Sequence, residues 1–130
     1  MSKQTTKILV VDDEEDGTLL LKLVLEEYDV EVASSYDEAV SFLKTESFEL
    51  VVSDYRMPEK DGIDLLNYAG KNFPDMKFII LTGHQDISEE MNERAKFNCD
   101  SILSKGCADE EILEAVEKAL QCKEPKKISA

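Results

Sequence analysis

Short β-branched runs alternate with longer amphipathic stretches along the chain. The runs are Lys7–Val11, Val30–Ala33, Leu50–Ser53, Lys77–Leu81 and Ser101–Ser104. The first, third and fourth are almost continuously apolar, which predicts strands covered on both faces, as in a parallel sheet. The stretches between them have helical spacing. Ile87, Met91 and Ala95 recur every four residues, with Glu89, Glu90, Glu93 and Arg94 at the other positions, and Ile112, Val116 and Ala119/Leu120 form the stripe of the last stretch. Gly62 stands at the start of the third predicted helix and Pro74 closes it. Five strands alternating with five helices predict an α/β fold, a doubly wound parallel sheet with right-handed crossovers. The first helical stretch is over-supplied with apolar residues. Leu19, Leu20, Leu21, Leu23, Val24 and Leu25 cover more than one face, so some must be exposed. Scattered exposed leucines are ordinary; a face for docking a partner is the alternative.

Composition narrows this picture. The chain has 130 residues, the size of one domain, and 42% of them are hydrophobic, enough for a core. The pattern ends near Cys122, so residues 1–122 are read as the domain. Residues 123–130, with three lysines and Pro125, are read as a basic tail or linker stub. The 29 acidic residues outnumber the 15 basic ones, for a net charge of −14. That argues against nucleic acid as a direct partner, because phosphate contacts need Lys and Arg. No apolar run approaches the ~20 residues of a membrane helix, and no signal peptide opens the chain. Cys99, Cys107 and Cys122 lack metal-ligand spacing and read as reduced thiols of a cytoplasmic protein.

In an open α/β sheet, ligands bind beyond the carboxyl ends of the strands. Asp12-Asp13-Glu14 follow the first strand, Asp54 the third, Thr82-Gly83 the fourth and Lys105-Gly106 the fifth. The flavodoxin-like strand order 2-1-3-4-5 makes these four ends neighbours. Asp12, Asp13 and Asp54 then form a cluster of like charges that a cation relieves. An all-oxygen set suits Mg²⁺. Lys105 adds an ammonium, Thr82 a hydroxyl and Gly83 an unobstructed backbone N–H. Together these suit a phosphoryl group, with a central carboxylate as nucleophile. Taken singly, each residue has a plainer reading: Asp12-Asp13 as a helix cap, Asp54 with Pro58 and Gly62 as turn chemistry, Thr82 as a local backbone partner, Lys105 as a solvated charge. It is their convergence on four strand ends of one sheet that argues for a site.

The segments Ile8–Glu14, Asp54-Tyr-Arg-Met-Pro-Glu-Lys-Asp-Gly62, Leu81-Thr-Gly83 and Ser104-Lys105, in this order and spacing, resemble the receiver domain of two-component response regulators over residues 6–121. The resemblance implies that Asp54 accepts a phosphoryl group from a phosphohistidine on a histidine kinase or histidine phosphotransfer protein. It implies Mg²⁺ held by Asp13 directly, by Asp12 through water, by Asp54 and by the Arg56 carbonyl. Thr82 matches the hydroxyl that swings to the phosphoryl group, and Lys105 the ammonium that contacts it. Arg56 and His84 fall where side chains tune phosphate lifetime. A downstream protein or an output domain outside this chain would read the switched surface. The implied chemistry is a signalling switch that catalyses only its own phosphorylation and dephosphorylation.

Two positions depart from the family pattern. Gly106 stands where proline usually follows the lysine, so the Lys105–Gly106 bond is expected to be trans. Ile102 replaces the aromatic switch residue and cannot make an aromatic inward flip, which predicts a weaker or different read-out. A degenerate receiver that binds protein independently of phosphorylation is the alternative these two positions keep open. A hydrolase of the haloacid dehalogenase type is disfavoured, since Arg56 stands where its second acid belongs. A flavin module is disfavoured by the acidic loop Asp12–Asp16, and a dinucleotide fold by the absence of any G-x-G among the five glycines.

Overall fold

The structure, a computed structural model, describes residues 5–83 and 86–121. Among these residues, strands β1 (Lys7–Val11), β2 (Asp29–Ala33), β3 (Leu50–Asp54), β4 (Lys77–Thr82) and β5 (Ser101–Ser104) alternate with helices α1 (Glu15–Val24), α2 (Tyr36–Thr45), α3 (Gly62–Asn72), α4 (Ser88–Arg94) and α5 (Asp109–Gln121). All strand pairs are parallel, in the order β2-β1-β3-β4-β5 expected from the sequence. His84, Cys122 and the basic stretch 123–130 lie outside the described residues.

Burial follows the hydrophobic pattern. Every residue of β3 and β4 is buried, as are four of the five in β1. The outer strand β5 alternates between half-buried and exposed positions. Successive residues of the central strands point to opposite faces. Leu9, Val11, Val51, Phe78 and Ile80 pack with Leu43, Ile63, Leu66 and Ile87, the layer of α2, α3 and the start of α4. Ile8, Val10, Leu50, Val52, Ile79 and Leu81 pack with Leu21, Leu25, Ile112 and Val116, the layer of α1 and α5. Each such side chain contributes roughly 1.5–3 kcal/mol when removed from water. Leu19, Leu20 and Leu23 are left 55%, 63% and 67% exposed, so α1 does display an apolar outer face.

Local chemistry sets the ends of the helices. Ser35 Oγ accepts a hydrogen bond from the Glu38 N–H (3.1 Å), and Glu38 Oε1 accepts from the Ser34 N–H (2.9 Å), at the start of α2. Asp61 caps α3 by accepting from the N–H groups of Ile63 and Asp64. The reading of Asp12-Asp13 as a cap for α1 does not hold. Glu14 occupies the N-cap position without a side-chain bond, and Asp12 Oδ1 accepts only one turn-like bond, from the Glu14 N–H at 2.9 Å. Strands β3 and β4 run one residue further than their apolar pattern. Asp54 is paired with Leu81, and Thr82 with Ser104, so both polar residues are held by sheet backbone rather than by a loop.

Candidate functional site

The strand order brings the ends of β1, β3, β4 and β5 together, and with them the acids. Ligand oxygens of Asp12, Asp13 and Asp54 lie within 4.8 Å of one another. Asp12 is only 3% exposed and Asp54 6%, whereas Asp13 is open to solvent. Lys105 Nζ donates to Asp54 Oδ2 at 2.9 Å and stands 3.6 Å from Asp12 Oδ2. The lysine is itself fixed by its backbone N–H, which donates to the Thr82 carbonyl at 2.7 Å. A cleft of about 320 Å³ opens over this group, lined by Asp13, Glu14, Asp54, Arg56, Thr82, Gly83 and Lys105, together with Tyr55. A larger recess, about 620 Å³, lies at the opposite end of the sheet between the ends of α2 and α3; its lining includes Glu46, Glu49 and Asp75, but among the described residues the close three-acid group is that of Asp12, Asp13 and Asp54.

Electrostatics single out Asp54. Burial pushes its carboxyl above the usual carboxylate range; the Lys105 hydrogen bond and charge oppose this, and neighbouring Asp12 adds to it. Burial pulls the Lys105 ammonium down, but the hydrogen bond and charge of Asp54, with Asp12 and Glu14, outweigh it and leave the lysine raised. One ammonium therefore serves two buried carboxylates with a third beside them. A divalent cation with oxygen ligands fits such a set: the donors are all oxygens, close together, and short of positive charge.

Gly17, absent from the sequence-based site, makes room for it. A Cβ at this position would lie 2.2 Å from Asp12 Oδ2, so glycine lets α1 pass this close without displacing the buried carboxylate. An isolated glycine inside a helical pattern was the available signal, since it is otherwise unfavourable there. Gly83 behaves differently. A Cβ there would meet nothing within 4 Å, so its lack of a side chain is not demanded by packing. Arg56 is exposed at the rim of the cleft. Ile102 is not in the cleft. It is 43% exposed and lines a separate groove with Met91, Ala95, Phe97 and Cys99. No cis peptide bond occurs among the described residues, so Lys105–Gly106 is trans, and the Gly106 N–H donates to Ser104 Oγ at 3.2 Å.

A family model described as "Response regulator receiver domain" matches residues 8–117. Among curated proteins, the transcriptional regulatory protein GlrR of Escherichia coli is 34% identical over 129 residues, covering 96% of this chain and 28% of GlrR. The transcriptional regulatory protein FixJ of Bradyrhizobium diazoefficiens is 33% identical over 126 residues, covering 93% of this chain and 60% of FixJ. The chain thus spans 28% of the length of the first of these relatives and 60% of the second. Among solved structures, a response regulator receiver domain protein from Clostridium thermocellum has a TM-score of 0.76 at 34% identity, covering 88% of this chain and 94% of that one. The response regulator TrrA of Thermotoga maritima, solved in complex with Mg²⁺ and BeF, has a TM-score of 0.79 at 30% identity, covering 88% of this chain and 99% of that one.

Proposed function

The chain belongs to the response regulator receiver domain family, and from that premise we propose that Asp54 accepts a phosphoryl group from a phosphohistidine on a histidine kinase or histidine phosphotransfer protein. The observation that carries this reading is the Asp54 carboxylate itself: buried, 2.9 Å from Lys105, and within 4.8 Å of two further acids. In the transfer, an Asp54 carboxylate oxygen forms a bond to phosphorus while the P–N bond to the donor imidazole breaks. The electron pair stays on the leaving nitrogen, which takes up a proton. Lys105 lies where its ammonium can offset charge on the transferred group. Thr82, the last residue of β4, supplies a hydroxyl on the same cleft. Asp13 and Asp54, with the Arg56 carbonyl and Asp12 through water, are the residues that would hold Mg²⁺. When bound, that ion supplies electrostatic stabilisation of the phosphoryl oxygens.

Arg56 and His84 would tune the lifetime of the acyl phosphate. Residues 1–122 would make up the module, with 123–130, outside the described residues, as a basic tail or linker stub. A downstream protein or attached output domain would read the altered surface around Ile102 and α4. Beyond its own phosphorylation and dephosphorylation, the chain turns over no substrate. The reduced thiols of Cys99 and Cys107 suit a reducing cytoplasm.

Mg²⁺ titration followed by calorimetry tests the acidic site. Saturable binding that weakens at least about tenfold in Asp13→Asn, as expected on losing a metal-binding carboxylate, is the expected result. Equal affinity in the variant would remove Asp13 from the site.

A further inference from the structure

One ridge of α3 grips the segment where α4 ends. Arg94, the last residue of α4, donates Nη1 to Asp61 Oδ2 (2.8 Å) and Nη2 to Asp61 Oδ1 (2.9 Å), with a longer contact from Nη2 to Asp64 Oδ1 (3.3 Å). Asn67 donates Nδ2 to the Arg94 carbonyl at 2.9 Å and accepts from the Lys96 N–H at 2.7 Å. The Phe97 ring occupies the space beside Gly70, where a Cβ would come within 2.3 Å of it. Asp61, Asp64, Asn67 and Gly70 recur at a spacing of three, the i±3 ridge along a helix surface. Each engages a residue between Arg94 and Phe97.

This attachment has more weight for α4 than such contacts usually have. The helix is seven residues long and buries none of its own side chains; a helix so short is not stable alone. Ile87 anchors its beginning in the core, and the α3 ridge anchors its end. The ridge also leads to the acidic cleft. Asp61 closes the loop that leaves Asp54, and the next residue, Gly62, donates its N–H to the Tyr55 carbonyl at 2.8 Å. Burial pushes the Asp61 carboxyl up, but the Arg94 and Asp64 hydrogen bonds outweigh it and hold it below the usual range.

We propose that Arg94 is a positioning residue, a latch that holds α4 on α3 through Asp61 in the unphosphorylated arrangement, and that a phosphoryl group on Asp54 acts by shifting the loop 55–61 and releasing it. This rests on the reading of Asp54 as the phosphoacceptor. Linkage then requires that weakening the latch strengthen binding of a phosphoryl mimic at Asp54 by the same factor that binding weakens the latch.

The test uses Arg94→Met, which keeps the aliphatic stem, and Asp61→Asn, which can still cap α3, singly and together. Beryllofluoride binding in the presence of Mg²⁺ is measured by calorimetry, and amide exchange of residues 88–94 is measured without beryllofluoride. The latch predicts that each single variant binds beryllofluoride about three- to tenfold more tightly, within the usual range of coupling between sites. It predicts that the double variant gains no more than either single one, since both break the same contact. Exchange in α4 should rise several-fold while β1 and β3 are unaffected, and Arg94→Lys should restore part of the wild-type affinity. Affinities within twofold of wild type in both single variants, or gains that multiply in the double variant, overturn the latch while leaving the phosphoacceptor reading intact. Wild-type protein that binds no beryllofluoride overturns the phosphoacceptor reading and the latch with it.

Discussion

Substituting Gly17 by alanine separates the site from the fold. By helix propensity alone the change is favourable, because glycine inside a helix is worse than alanine by roughly 0.5–1 kcal/mol. The added Cβ, however, would stand 2.2 Å from Asp12 Oδ2 and 3.1 Å from its Cγ. Ordinary carbon–oxygen contacts begin about an ångström further out, so the carboxylate must retreat by that much. Its freedom to do so is limited: Oδ1 is tied to the Glu14 N–H, and Oδ2 faces Lys105 at 3.6 Å. The clash falls on the end of a side chain rather than on backbone, so the fold should absorb it. Overpacking costs typically 1–3 kcal/mol, and with the propensity gain the net loss should stay near 1–2 kcal/mol. A displacement of about 1 Å at a reacting group can cost on the order of 100-fold in rate. The variant is therefore expected to stay folded and unfold cooperatively in urea, with a midpoint lowered by up to about 1 M, yet to be phosphorylated by phosphoramidate with Mg²⁺ roughly 10- to 100-fold more slowly, as judged by intact mass over time. Wild-type phosphorylation kinetics in Gly17→Ala would refute the claim that the Asp12 position matters to the chemistry.

Two further substitutions follow from the same geometry. Asp54→Asn should stabilise the protein at neutral pH in the absence of divalent metal. The raised folded-state pKa of Asp54 means its stability contribution is fully present below the ordinary value of 3.8 and is lost as pH rises through the folded value. The advantage of Asn should therefore grow over that window in pH-dependent urea melts; an advantage that shrinks with rising pH would contradict the sign. Glu59 carries a φ of 70°, a left-handed conformation costly for a side chain. Relief of about 1–2 kcal/mol, less about 0.5–1 kcal/mol for the extra freedom of unfolded glycine, leaves Glu59→Gly more stable by about 0.5–1 kcal/mol. Differential scanning calorimetry should show a melting temperature higher by a few degrees, and a lower one would refute the strain.

The parts of the fold that rest on period and burial were legible from residues alone. The continuous apolar runs of β1, β3 and β4 marked central strands, and the strand order followed once the acids and Lys105 were required to meet. The extents of β3 and β4 were less legible, because Asp54 and Thr82 are polar and join the ladder through backbone pairing that side-chain pattern does not report. Asp12 was ambiguous between cap and site; Glu14 at the N-cap position of α1, with the burial of Asp12 and its distance from Lys105, separates the two. Gly17 carried only the signal of an isolated glycine inside a helical pattern, and its distance to Asp12 gives that signal its meaning. The Arg94–Asp61 contact joins residues 33 positions apart. Nothing in their local sequence marks them as partners, since exposed charges on short helices ordinarily face solvent. The α1 leucines were correctly expected to exceed one face, but which of them lie outward depends on how the helix sits on β1 and β2.

The central claim is that Asp54 is a Mg²⁺-dependent phosphoacceptor. Its most direct test is the intact mass of the protein after incubation with phosphoramidate, measured with Mg²⁺, with EDTA, and for Asp54→Ala. The wild type should gain one phosphoryl group with Mg²⁺ and none with EDTA, and Asp54→Ala should gain none. An adduct that persists in Asp54→Ala, or its absence from the wild type when Mg²⁺ is present, would contradict it.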